Sequence, residues 1–183
     1  EQVRRILEPG RPRPGSKKMS KKEANPGQSP GLHSHLAHLP PLADAPLVFF
    51  TVTTHGRRQI LNCGEAHRVL AEIWQRSGEH DGWYVGDYLL MPDHVYFFAR
   101  SAREGQLMAK WMKMWKSVSA REFKKAIGLE APVWQGDYFD RYLRSGESYS
   151  EKWAYVEQNP VRAGLVVKPD DWPYKGRIHE LRF

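Results

Sequence analysis

From Leu47 onward the chain alternates between two patterns of hydrophobic and polar positions. LVFFTVTT, starting at Leu47, is rich in β-branched and aromatic residues and predicts a strand. Glu65–Arg76 spaces Val69, Leu70, Ile73 and Trp74 as one face of a helix. Gly78–Gly82 reads as a turn and Trp83–Leu90 as a second strand. The stretch Tyr88–Arg100, YLLMPDHVYFFAR, is an apolar, β-prone run broken once, at Met91-Pro92-Asp93-His94. Pro and Asp break a strand and favour a turn there, so the run predicts a hairpin whose second arm is His94–Ala99. Alternate strand residues share a face, which puts His94, Tyr96 and Phe98 on one side and Val95 and Phe97 on the other.

Glu104–Ile127 predicts the longest helix, with Leu107, Met108, Trp111, Met112, Trp115 and Val118 as its apolar stripe. Pro132–Trp134 and Tyr138–Leu143 predict a short strand or strand pair around Gly136. Ser148–Asn159 predicts the last helix, capped by Ser148 or Ser150. Pro160 cannot continue it, so NPVRAGLV is expected to be a capped turn. The tail through Trp172-Pro173-Tyr174 is expected to pack back on the domain. The order β-α-β-β-α-β-α implies an α+β fold, a ferredoxin-like antiparallel sheet with its two long helices packed on one face. Residues 1–46 differ in kind: Pro, Gly, Ser and Lys dominate and no apolar period is visible. They are expected to form a disordered basic tail, with Met19 as a candidate true start, ahead of a domain over residues 47–183. His33, His35 and His38 cluster in that tail, but the stronger expectation there is phosphate contact through Lys17, Lys18, Lys21 and Lys22.

Charge narrows the partner. Lys and Arg number 28 against 21 Asp and Glu, a formal +7 with a pI near 9.5. That excess favours an anionic partner, of which nucleic acid is the commonest. A single cysteine, Cys63, excludes an internal disulfide and a cysteine-based zinc cluster, and fits a reducing cytoplasm. No apolar run approaches the ~20 residues of a membrane span, and no secretory signal is visible, so a cytoplasmic protein is expected.

Candidate chemistry follows from two stretches. A lone His on a half-buried strand is more often structural than a ligand. Trp153–Leu165, WAYVEQNPVRAGL, changes that weighting, because Tyr155 and Asn159 are one helical turn apart and share a face. A strand offering His94 and a helix offering Tyr155 and Asn159 can form a metal-assisted nucleophilic site. On the long helix, Lys113, Lys116 and Arg121 can follow a DNA backbone or form a solvated face. Trp134, Tyr138 and Phe139 can stack on unpaired bases or serve as core or dimer packing. Arg141 and Arg144 can clamp phosphate or form surface ion pairs.

The same residues carry a resemblance. YLLMPDHVYFFAR resembles the strand motif of the HUH single-tyrosine transposases, whose usual form is M-P-N-H-V-H-hydrophobic. VWQGDYFDRYLRSGESYSEKWAYVEQNPVRAGLVVKPDDWPY resembles the C-terminal half of the REP-associated tyrosine transposases, in the wider insertion-sequence transposase superfamily. FFTVTTHGRRQIL and KMWKSVSAREFKK fit the opening strand and the long helix, so the resemblance covers Leu47 to about Tyr174. It implies a dimeric ferredoxin-like enzyme that nicks and rejoins single-stranded DNA hairpins. It implies a divalent cation, Mg²⁺ or Mn²⁺, held by two strand His and a helical amide or acid. His94 matches the first His, Asn159 the helical ligand and Tyr155 the nucleophile. Tyr96 stands where the second His is expected.

The reaction so implied is a transesterification through a 5′-phosphotyrosine. A phenol, with pKa about 10, needs help to act as an oxyanion at neutral pH, and a cation on the scissile phosphate supplies it. Tyr96 leaves three alternatives. His55, Glu157 or Gln158 completes the site, Tyr96 itself takes part, or the protein is a domesticated hairpin-binding module that cuts poorly. A metal-free binder of RNA hairpins is the remaining rival.

Overall fold

The computed structural model describes residues 45–102 and 104–181. The basic tail, its lysines and its three His therefore lie outside the described residues, apart from Ala45 and Pro46. Five strands make one antiparallel sheet: β1 (Val48–Thr53), β2 (Trp83–Met91), β3 (His94–Ser101), β4 (Phe139–Tyr142) and β5 (Lys175–Arg177). Their spatial order is β4-β1-β3-β2-β5. The helices are α1 (Gly64–Asp81), α2 (Met108–Ile127), α3 (Gly146–Glu157) and the single turn α4 (Asn159–Arg162). Among the described residues no helix is long and apolar enough to cross a membrane.

The strand period splits the sheet into two apolar layers. Val48, Phe50, Val52, Leu90, Val95, Phe97 and Ala99 face the stripes of α1 and α2, including Trp74, Trp111 and Trp115. The two long helices thus share one face, as the element order predicts. Trp83 stacks on Trp111 at a centroid distance of 4.5 Å, and Phe50 on Phe97 at 5.0 Å. Phe49, Leu89, Met91 and Phe98 point the other way, toward Val156 on α3 and toward Trp172. Tyr149 and Trp153, on successive turns of α3, pack against the Phe98 ring. The face shared by His94, Tyr96 and Phe98 is therefore the one that α3 covers.

Several boundaries differ from the pattern-based expectation, each for a local reason. The first helix runs through Gly78 to Asp81 and stops at Gly82, whose φ of 68° is left-handed. Gly78 is not a turn residue. A Cβ there would sit 2.7 Å from the Tyr84 ring, so its role is close approach. The last helix starts earlier than expected, capped by Ser145, whose hydroxyl accepts the Ser148 N–H at 3.2 Å. It ends at Glu157, and Pro160 falls in the first turn of α4, where its missing N–H costs nothing. The segment expected as a capped turn is thus a new helical turn, closed at Gly164 with φ 69°. Of the expected strand pair near Gly136, Trp134 makes only an isolated bridge to Thr54, while β4 pairs with β1. The tail packs back through Trp172, whose indole N–H donates to the Leu90 carbonyl at 2.8 Å, and adds β5 to the β2 edge.

Candidate active site

His94 opens β3 directly after the Pro92-Asp93 turn. Its Nδ1–H donates to Asp93 Oδ1 at 2.6 Å, and the other Asp93 oxygen accepts from Arg57 Nη1 at 3.0 Å. The carboxylate fixes the ring and leaves Nε2 as the free nitrogen. Burial works against ionisation of Asp93. The hydrogen bonds and charges of His94 and Arg57 outweigh it and hold the carboxyl below the usual range.

Tyr96 lies two residues along the same face, its ring edge-on to His94 at 4.7 Å and stacked on Phe49 at 5.8 Å. Burial raises its pKa, and the neighbouring Tyr155 and Asp93 add to the rise; Arg57 and Arg162 oppose it. Tyr96 is accordingly a neutral phenol near pH 7. Tyr155, Asp93, Arg57 and Arg162 are thus all within electrostatic reach of Tyr96.

Tyr155 is 54% exposed, although its helix is packed down by Val156 next door. The buried stripe of α3 runs through Tyr149, Trp153 and Val156, and Tyr155 sits at its margin. Two cations flank its ring. The Arg162 guanidinium carbon is 4.2 Å from the centroid and Lys152 Nζ 5.4 Å. Arg162 Nη1 also donates to the Tyr155 carbonyl at 3.0 Å and to Asn159 Oδ1 at 3.4 Å. Asn159 Nδ2 is buried and has no hydrogen-bond partner.

The chemistry of the donor set bears on a cation. His94 Nε2 and Asn159 Oδ1 are suitable ligand atoms for a divalent ion. A protonated phenol such as Tyr96 is a poorer ligand for a hard cation than an imidazole or an amide oxygen. Among the described residues no three His, Cys, Asp or Glu side chains form a metal cluster. Of the substitutes considered for a third ligand, Glu157 is engaged by Lys175 at 3.1 Å, while His55 and Gln158 are exposed.

The expected DNA-contacting residues divide between the two faces. Lys113, Lys116 and Arg121 belong to α2, across the sheet from His94 and Tyr155. Lys116 is committed to structure: its ammonium donates to the carbonyls of Gln135, Gly136 and Asp137 at 3.0–3.1 Å, and burial lowers its pKa to about 8. Trp134 is corrected from a base-stacking candidate to core. It is 7% exposed, donates to Ser119 Oγ at 2.8 Å and packs edge-on against Trp115. Arg141 and Arg144 are exposed, and the register puts Arg141 beside Phe49 on the α3 face. Sequence reasoning missed Asp93, Arg57, Lys152 and Arg162 as members of the site. Two of them carried a local signal: Lys152 lies three residues before Tyr155 on one face of α3, and Asp93 directly precedes His94.

The pattern of residues 47–159 matches the family described as Transposase IS200 like, over more than half of the chain. The chain belongs to the IS200-like transposase family. Among its relatives is the REP-associated tyrosine transposase of Escherichia coli strain K12, 25% identical over 131 residues, covering 69% of this chain and 73% of that one. A REP-associated tyrosine transposase solved bound to a REP hairpin has the same fold: TM-score 0.58, 20% identity, 72% of this chain and 76% of the other covered. The chain therefore shares that structure's fold, and its own His94 on β3 and Tyr155 on α3 belong to the same side of the sheet.

Proposed function

We propose that this protein binds single-stranded DNA hairpins and nicks and rejoins them by transesterification through Tyr155. The observation that carries the reading is the exposed Tyr155 ring held between Arg162 and Lys152 on the sheet face that presents His94. Tyr155 Oη gives up its proton to solvent and attacks the scissile phosphorus, the P–O3′ bond breaks, and the 3′ oxygen takes up one proton from solvent to leave as a hydroxyl, so no proton is gained or lost overall. A 5′-phosphotyrosine remains, and a 3′-hydroxyl reverses the step without an external energy source. Arg162 is placed to neutralise charge on the phosphate, which preorganised cations do without reorganisation. Mg²⁺ or Mn²⁺, where bound, would be held by His94 and Asn159 and would neutralise charge developing on the phosphate. Asp93 would orient His94 for that purpose. A homodimer, which the resemblance implies, and a cytoplasmic location belong to the same proposal.

The test is a labelled hairpin with single-stranded flanks, incubated with Mn²⁺ and run on a denaturing gel. A covalent adduct that disappears in Tyr155→Phe is the expected result. Tight binding without an adduct under any metal would replace the enzyme with a second reading, a cleavage-impaired hairpin-binding module. The neutral Tyr96 in place of a ligating His is the specific observation that favours that rival.

A further inference from the structure

We infer that the β4 edge of the sheet, through Phe139 and Arg141 together with Lys152 of α3, is a track for the single-stranded DNA that flanks the scissile phosphate; this rests on Tyr155 being the nucleophile. Register fixes which side of β4 is involved. Phe139 pairs with Thr51, which pairs with Tyr96, so Phe139 and Tyr96 lie in one cross-strand row on the α3 face. The next row on that face is Arg141, Phe49 and Phe98. One strand, β1, lies between Phe139 and Tyr96, so two strand spacings, about 10 Å, separate them.

Three features mark these rows as a binding surface. Phe139 is 54% exposed, a large ring left in water on a strand whose outer edge pairs with nothing among the described residues. Arg141 and Lys152 meet at Phe49: Arg141 is its cross-strand partner and Lys152 Nζ lies 4.6 Å from its ring. After burial, it is the Arg141 charge that lowers the Lys152 pKa. Among the described residues, neither these two cations nor Arg162 is ion-paired with a carboxylate. Adjacent like charges without an acid repel, so an anion bound between them relieves a standing cost.

The line also leads to the chemistry. Lys152 Nζ lies 4.6 Å from the ring of Phe49, the cross-strand partner of Arg141, and 5.4 Å from the Tyr155 ring, which Arg162 also contacts at 4.2 Å. Cations beside an exposed aromatic suit a single strand, whose bases are free to stack. A paired duplex presents no free base face to Phe139, so the track distinguishes the flank from the stem.

The test compares two hairpins, one with and one without a single-stranded flank, the flank carrying the fluorescent base 2-aminopurine. Fluorescence and affinity are measured with Tyr155→Phe protein, so that no cleavage intervenes. Phe139→Ala should relieve 2-aminopurine quenching and weaken the flanked hairpin about tenfold, within the range for one stacked base. Affinity for the flankless hairpin should not change. Arg141→Ala should lower the salt slope of flanked-hairpin binding by about one unit. Equal weakening of both hairpins, or of neither, overturns the track. An unquenched 2-aminopurine in the parent protein overturns it as well. The separate outcome of a preserved flank effect with no adduct from Tyr155 in the unmutated protein would leave the track standing and remove the nucleophile.

Discussion

The guanidinium of Arg162 lies 4.2 Å from the Tyr155 ring centroid while its Nη1 bonds the Tyr155 carbonyl, so one side chain spans α4 and the end of α3. The same nitrogen reaches Asn159 Oδ1. A cation so held can stabilise a phosphate at the phenol and also fix the break between the two helices. Arg162→Ala is expected to lower adduct formation by about 10²-fold, the scale of losing one preorganised charge donor. Arg162→Lys keeps the charge but not the planar fork, and should recover only part of the rate. Single-turnover cleavage of a flanked hairpin measures both.

Tyr96 sets the second prediction. Its phenol is neutral near pH 7 and lies edge-on to His94, at the position where the resemblance puts a second His. Tyr96→His should raise the affinity for Mn²⁺ by about 10-fold or more, by comparison with the effect of even outer-shell changes. Calorimetric titration of metal reads that directly, and adduct yield against Mn²⁺ concentration reads its consequence. No gain in either measurement would show that the site has ceased to use a third ligand.

A third prediction concerns what holds the helix that carries Tyr155. Asp87 is 3% exposed on β2, accepts two hydrogen bonds from Arg177 at 2.7 and 3.0 Å, and accepts the Tyr149 hydroxyl from α3. Burial, reinforced by that bond to Asp87, pushes the Tyr149 pKa up. Tyr149→Phe removes a bond to a charged group and should cost about 1.5–3 kcal/mol of stability by urea denaturation. Asp87→Ala leaves Arg177 without its buried partner and should cost more.

Lys116 gives a dependence on pH. Its ammonium titrates at about 8 in the fold against 10.5 when unfolded. Between those values the unfolded chain binds more protons, so stability from this group rises as pH increases through that window. The difference in unfolding free energy between the unmutated protein and Lys116→Met should shift toward the unmutated protein from pH 8 to pH 10. A flat difference across that window would contradict the buried ammonium.

The sequence by itself determined the elements and much of their facing. The period of two in YLLMPDHVYFFAR put His94, Tyr96 and Phe98 together on one face, because side-chain alternation is a property of the strand alone. The stripe Met108, Trp111, Met112, Trp115 announced the buried side of α2 for the equivalent helical reason. The chain could not announce which partner each face would meet. Lys113 and Arg121 read as well as Arg141 for a DNA contact, yet α2 packs on the opposite face of the sheet from α3, which only the tertiary packing decides. Trp134 and Phe139 are both aromatics near one turn. Pairing across β1 leaves Phe139 in water, while the α2 stripe buries Trp134. Arg57 joins Asp93 across 36 positions, and Tyr149 joins Asp87 across 62. Contacts of that range depend on how the sheet closes, and no local period encodes them.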